Sequence, residues 1–268
     1  MLWQILVQFL FRLALGLVSA MALTSTRDVT AGFFRVHLWV ALGLDTFLAA
    51  IVWMVKDYPQ RGQVLTLAIV AAVMSYVGAI VWLYEKKTAG WWLLVLIAAI
   101  HLGGLATGLS FTGGGLPPGT ADTGASLPAW ILLDRATSAL LLGFTFAAML
   151  LGHWYLNTPS MKLEPLKKLV LGMALLAVVR GLMSAWGIVN GWSLLAEGGG
   201  AGSLFLAFLA IRWLAGIAGL LGLCLMTWET LRIPNTQSAT GILYVAVILS
   251  FLGELTSQFI SSQTIYPI

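Results

Sequence analysis

Eight apolar stretches, separated by short polar segments, decide what this chain can fold into. They run at about residues 2–23, 32–55, 63–84, 89–111, 129–156, 166–192, 203–229 and 237–261. A helix needs roughly 20 apolar residues to cross the hydrocarbon core of a bilayer, and each stretch is long enough. Within lipid, only structures that satisfy their own backbone hydrogen bonds survive, so eight such runs predict eight helices. Charged residues make up 9% of the chain and hydrophobic ones 60%, whereas soluble domains carry roughly 25% charge. Such a chain cannot cover a water-facing surface. The expected class is an all-α polytopic membrane protein with no room for a separate soluble catalytic domain.

The first run, LWQILVQFLFRLALGLVSAMAL, has no basic segment before it and contains Arg12. It reads as a permanent span rather than a cleaved signal peptide. Short connections favour antiparallel neighbours. The long exception, TGGGLPPGTADTGASLP at 112–128, divides the chain into a first four-helix bundle, 1–111, and a second, 129–268. A softer loop, EGGGAGS, joins the sixth and seventh helices.

Basic residues orient the helices. Odd-numbered loops and their helix entries hold Arg27, Arg35, Lys86, Lys87, Lys162, Lys167, Lys168 and Arg232, whereas even-numbered loops hold Lys56 and Arg61. This positive-inside bias predicts odd loops in the cytoplasm and both termini on the outer, periplasmic side of the cytoplasmic membrane. It also accounts for the pI of 9.4 without nucleic acid, since no basic patch with interleaved aromatics exists. Many of the twelve tryptophans, among them Trp3, Trp53, Trp82, Trp91, Trp92, Trp130, Trp154, Trp192 and Trp228, fall near helix ends, as in an interfacial aromatic belt. Gly216, Ala218, Gly219 and Gly222 suit close helix packing.

Chemistry must come from the few polar residues inside the spans. These are Arg12, Asp45, His101, Asp134, Arg135, Arg180, Arg212 and Glu254, with His37 and His153 nearer the cytoplasmic boundary. On insertion scales an unpaired charge costs roughly 2.5–3.5 kcal/mol at a helix centre, so each needs a partner or a polar cavity. At about 1.5 Å per residue, Asp134, Arg135, Arg180, Arg212 and Glu254 come to a similar level in the outer half of helices 5 to 8. They form either ion pairs that brace the helices, such as Asp134 with Arg180 and Glu254 with Arg212, or a pocket that binds a ligand and moves protons. Arg12, Asp45 and His101 lie nearer the midplane. His37 and His153 share a depth on helices 2 and 5, so they are candidate axial ligands for one haem b. Their alternatives are a boundary hydrogen bond beside Trp154 and Tyr155, or proton carriage. No second His pair supports a di-haem cytochrome, and the three His have no metal-chelating spacing. The single Cys224 excludes a Cys-held cluster or a disulfide within this chain. Phosphate-loop, zinc-helix and nucleophile-turn motifs are missing.

Eight helices with outward termini, together with ATGILYVAVILSFLGELTSQFI at 239–260 and its Gly253-Glu254-Leu255, resemble the NrfD/DmsC/PsrC class of quinone-interacting membrane anchors. The resemblance implies a menaquinone or ubiquinone site and no redox metal of the chain's own. Electrons would pass to or from a partner subunit carrying iron–sulfur clusters, haem or molybdenum, making this the quinone-reactive subunit of an oxidoreductase complex. Asp134, Arg135, Arg180, Arg212 and Glu254 would then serve the headgroup, and Asp45, His101, His37 and Arg12 a proton route. Competing readings are a non-catalytic scaffold that anchors other subunits, a monohaem cytochrome and a small-solute transporter. No proline interrupts a span interior, which argues against the broken helices of the last.

Overall fold

The computed structural model describes residues 2–107, 129–197, 203–233, 235–262 and 266–268. The 112–128 loop and residues 198–202 of the softer loop fall outside them. Every extended element among the described residues is helical. The helices are α1 (Leu2–Leu23), α2 (Ala31–Met54), α3 (Arg61–Leu83), α4 (Lys87–Thr107), α5 (Ala129–Asn157), α6 (Glu164–Glu197), α7 (Ser203–Trp213), α8 (Leu220–Arg232) and α9 (Thr236–Ser261). Between α7 and α8 the chain forms a π-helical segment, Leu214–Gly219, so these three pieces make one continuous span. Eight helices are therefore long and apolar enough to cross a membrane. Their limits agree with the sequence reading to within a few residues, save that α6 runs on to Glu197.

Burial runs opposite to that of a soluble protein. Leu175, Leu182, Val189, Leu214, Leu225 and Ile248 face outward, while Arg12, Asp45, His101, Arg180, Arg212 and Glu254 are buried. Only an apolar solvent makes both halves of that pattern favourable, so the chain is an integral membrane protein in contact with lipid.

Packing centres on α1. In its most apolar window 78% of residues are buried within the protein, against 22% for the α7–α8 span. A helix apolar on all faces belongs inside, and α1 packs on α2, α4 and α5. Beyond it α2 packs on α3 and α3 on α4, while α5 packs on α6 and α9, and α8 packs on α6 and α9. At the α1–α5 crossing, Gly16 and Gly143 bring the two backbones into contact, and a Cβ on either would overlap the other helix's main chain. Arg12 meets Ser138, and Gly16 meets Gly143 four or five residues later, so α1 and α5 run parallel. Phe144 over Gly172 and Arg180 on Asp134 make α6 antiparallel to α5.

Trp82 departs from the belt expectation. It is fully buried and stacks on Phe34 with centroids 4.2 Å apart. Gly90 makes the space, since a Cβ there would sit 2.6 Å from the indole. Trp3, Trp53, Trp91, Trp92 and Trp228 are exposed, as a belt requires; the Trp192 side chain lies outside the described residues. At the end of the protein bearing the α1–α2 and α5–α6 connections, Lys162 pairs with Asp28 at 3.1 Å, and Tyr155 donates to the Lys162 carbonyl. The Ser25 hydroxyl, and then Lys162, hold the Asp28 carboxyl below the usual carboxylate range.

Candidate functional site: a buried cluster of guanidiniums and carboxylates

Five spans converge on one polar layer. Glu254, on α9, accepts from Arg180 of α6 through Nε at 3.1 Å and Nη2 at 2.9 Å, the two-pronged geometry in which guanidinium binds carboxylate most strongly. From the seventh span, Arg212 Nη1 donates to the same carboxylate at 2.8 Å. The remaining Arg180 nitrogen, Nη1, donates to the Asp134 carboxylate of α5, and Nη2 also reaches Ser257 Oγ at 3.0 Å. Ser257 in turn donates to the main-chain oxygen of Ile268. Every donor-bearing nitrogen of Arg180 is thus engaged.

Two further arginines complete the layer. Arg12 of α1 donates to Ser138 Oγ at 3.0 Å and feels the charges of Asp134, Arg180 and Glu254. Arg135 donates to the Leu105 carbonyl at 3.1 Å and feels Arg12 and Asp134. Four guanidiniums therefore face two carboxylates. Counting side chains, the formal excess is two positive charges, in a region where charge separation is expensive. Nε and Nη2 of Arg212 and Nε of Arg12 donate to no acceptor among the described residues.

Local structure explains the convergence. The π-helical segment starts two residues after Arg212 and resets the register of the seventh span. Such segments occur often at functional sites. Within it Gly216 lies against Gly253, the neighbour of Glu254, and a Cβ on Gly216 would come 2.6 Å from Gly253 Cα. That close crossing sets the Arg212–Glu254 contact. A continuous α-helix was expected from the absence of proline, but the glycine-rich LAGIAG sequence permits the wider turn.

Above this layer, toward the end that carries the α1 N-terminus, lies a second polar tier. Gln8, Ser184 and Gln258 are each four residues from Arg12, Arg180 and Glu254, hence on the same helix faces. All three are buried, and Gln8 Oε1, Ser184 Oγ and Gln258 Nε2 have no partner among the described residues.

The other half of the chain holds a separate network. Asp45 of α2 faces His101 of α4, with Nε2 to Oδ1 at 2.7 Å, and Ser75 of α3 donates to Asp45 Oδ2 at 3.2 Å. His37 lies two turns from Asp45 on α2, roughly 12 Å along the axis. Its Nδ1 bonds the Phe33 carbonyl at 2.6 Å, and its ring packs on Phe33. Meanwhile His153 is exposed, and its Nδ1 meets Tyr244 OH at 3.4 Å.

Sequence reading thus named the five clustered residues of helices 5 to 8, and the structure gathers them. It placed Arg12 with Asp45 and His101, whereas Arg12 reaches across to Ser138. Ser138, Ser257, Gln8 and Ser184 were not singled out. A spacing of four from each intramembrane charge was the available signal for three of them. The chain matches no protein-family model, no curated protein and no solved structure.

Proposed function

We propose that this protein is an integral subunit of an electron-transfer complex of the cytoplasmic membrane, binding quinone or quinol among α1, α5, α6, α7 and α9. In this reading the redox metal sits in a partner subunit, and the eight spans form two four-helix bundles with both termini outward. One observation carries the site: an excess of guanidinium over carboxylate in hydrocarbon, with N–H groups of Arg212 and Arg12 left to donate. The ligand that suits them is lipophilic and rich in acceptor oxygen. A quinone headgroup has two carbonyls for those donors and a tail that belongs in lipid. Gln8, Ser184 and Gln258 offer the second tier for its other edge. Glu254, Asp134 and their arginines would supply fixed charge next to the headgroup as two electrons and two protons are exchanged.

Arg180 plays a different part. With all its nitrogens on protein acceptors it is a brace, which favours the ion-pair reading for that residue alone. The two roles separate by mutation. Arg212→Leu leaves Glu254 held twice by Arg180 and removes donors aimed at the ligand. A hydrogen bond to a charged group contributes about 1.5–3 kcal/mol, so the affinity for a short-chain quinone should fall about 10- to 100-fold. Titration of the purified protein in nanodiscs, read by tryptophan quenching, measures it. Unchanged affinity in Arg212→Leu removes the site from this cluster.

Orientation has its own check. A cysteine replacing Lys168 is expected to resist a membrane-impermeant maleimide in intact cells and to react after permeabilisation. One replacing Lys56 should react in both. The reverse pattern would invert the topology.

A further inference from the structure

We propose that Asp45 and His101 hold one proton between them, a net-neutral acid–imidazole pair that forms a proton-binding site in the membrane interior. The inference comes from hydrogen-bond bookkeeping at His101 and does not depend on quinone binding. His101 Nδ1 lies 2.8 Å from the carbonyl oxygen of Ile97. A carbonyl can only accept, so Nδ1 carries hydrogen. On the other side of the ring, Nε2 lies 2.7 Å from Asp45 Oδ1. Were His101 neutral and Asp45 ionised, two lone pairs would face each other at that distance with no hydrogen between them. A proton must therefore lie on that line, either on Nε2 as imidazolium or on Oδ1 as carboxylic acid.

Both placements give the same total charge, zero. The surroundings favour that total. Asp45, His101 and Ser75 are fully buried, and an isolated charge of either sign in hydrocarbon is costly. The groups facing the pair are few. From α3 comes Ser75, whose hydroxyl donates to Oδ2. From α1 comes the Phe11 ring, edge-on to the imidazole with centroids 6.2 Å apart; the adjacent Arg12 turns to Ser138 on α5. Among the described residues no arginine or lysine pairs with Asp45, and the proton takes that place. When the proton leaves, His101 keeps its Nδ1–H, Nε2 becomes a bare acceptor and Asp45 becomes an anion, so release transfers one full charge into the apolar interior. A site built this way exchanges its proton only together with a compensating positive charge.

Nitrogen-15 NMR of histidine-labelled protein and infrared spectroscopy, both in nanodiscs without quinone at neutral pH, test the proposal. Variants His37→Gln and His153→Gln assign the ring signals to His101. The expected result is either a doubly protonated His101 ring or a protonated-carboxyl band, abolished in Asp45→Asn. The amide of that variant can donate to Nε2, so it keeps the contact without the proton. Ser75→Ala should retain the signal. A His101 ring bearing one hydrogen, together with no Asp45-dependent carboxyl band in the wild-type protein, overturns the proposal. The wild-type measurement stands even where Asp45→Asn fails to fold. Loss of quinone binding in Arg212→Leu would leave this result untouched, so the two readings fail separately.

Discussion

Glu254→Ala is expected to destabilise the folded protein by about 3–5 kcal/mol, the range found when one partner of a buried ion pair is removed. Most of its population should be lost from the monodisperse fraction in detergent. The reason lies in the charge balance. Glu254 is held by Arg180 through two nitrogens and by Arg212 through a third. Without it, four guanidiniums share the single side-chain carboxylate of Asp134, the bond from α9 to the seventh span at this level is gone, and of the bonds to α6 only that from Arg180 to Ser257 is left. Glu254→Gln is expected to fall between, because an amide oxygen still accepts but brings no charge.

The double variant Glu254→Leu/Arg212→Leu sharpens the point. Removing a buried cation along with its anion avoids leaving either uncompensated, so it should be more stable than Glu254→Leu alone. Arg212→Leu by itself removes half of the formal excess and keeps the Arg180–Glu254 pair, and should unfold at or near the wild-type temperature. Heating in detergent, followed by size-exclusion chromatography, reads all five variants. If Glu254→Ala unfolds with the wild type, the layer is hydrated enough to tolerate a lone guanidinium, and its apolar character is refuted.

Much of this layer was legible in the sequence because lipid simplifies the problem. A charge in an apolar run of 20 residues cannot be incidental, and depth along a helix follows from counting. The sequence alone therefore places Asp134, Arg180, Arg212 and Glu254 at one level. Rotation about each helix axis was not readable in the same way. Arg12 and Asp45 lie at comparable depths, yet Arg12 turns toward α5 and Asp45 toward α4. Which neighbour a helix faces depends on contacts between distant parts of the chain, such as Gly16 on Gly143. Trp82 shows the same limit: its position near a helix end suggested lipid, but Gly90 opened a slot in the protein. The π-helical segment was also hidden, since it reflects how the seventh span settles on Gly253 rather than any residue that forbids an α-helix. A common logic does emerge from the two networks. Asp45, Ser75 and His101 sit on the second, third and fourth spans, and Arg180, Arg212 and Glu254 on the sixth, seventh and eighth.

Gly143→Leu is expected to have an effect of similar size, for a purely steric reason. Association of helices in lipid draws on close packing rather than on a hydrophobic drive, so small residues at a crossing carry it. At the α1–α5 crossing the obstacle to a side chain on Gly143 is the Gly16 main chain itself. A flexible side chain could rotate away; a backbone cannot. Overpacking a core ordinarily costs about 1–3 kcal/mol, and here the strain is relieved only by moving α1 off α5. That movement would carry Arg12 away from Ser138 and out of the charged layer, so under the proposed function surviving protein should also bind quinone weakly. The same substitution at Gly222 or Gly241, where a Cβ meets nothing within 4 Å, should change stability by no more than about 0.5 kcal/mol, as surface replacements do. Equal unfolding temperatures for Gly143→Leu and Gly222→Leu would show that α1 and α5 do not meet through these glycines. A large gap between them would tie the α1–α5 contact to the same few ångströms that bring Arg12 to the cluster.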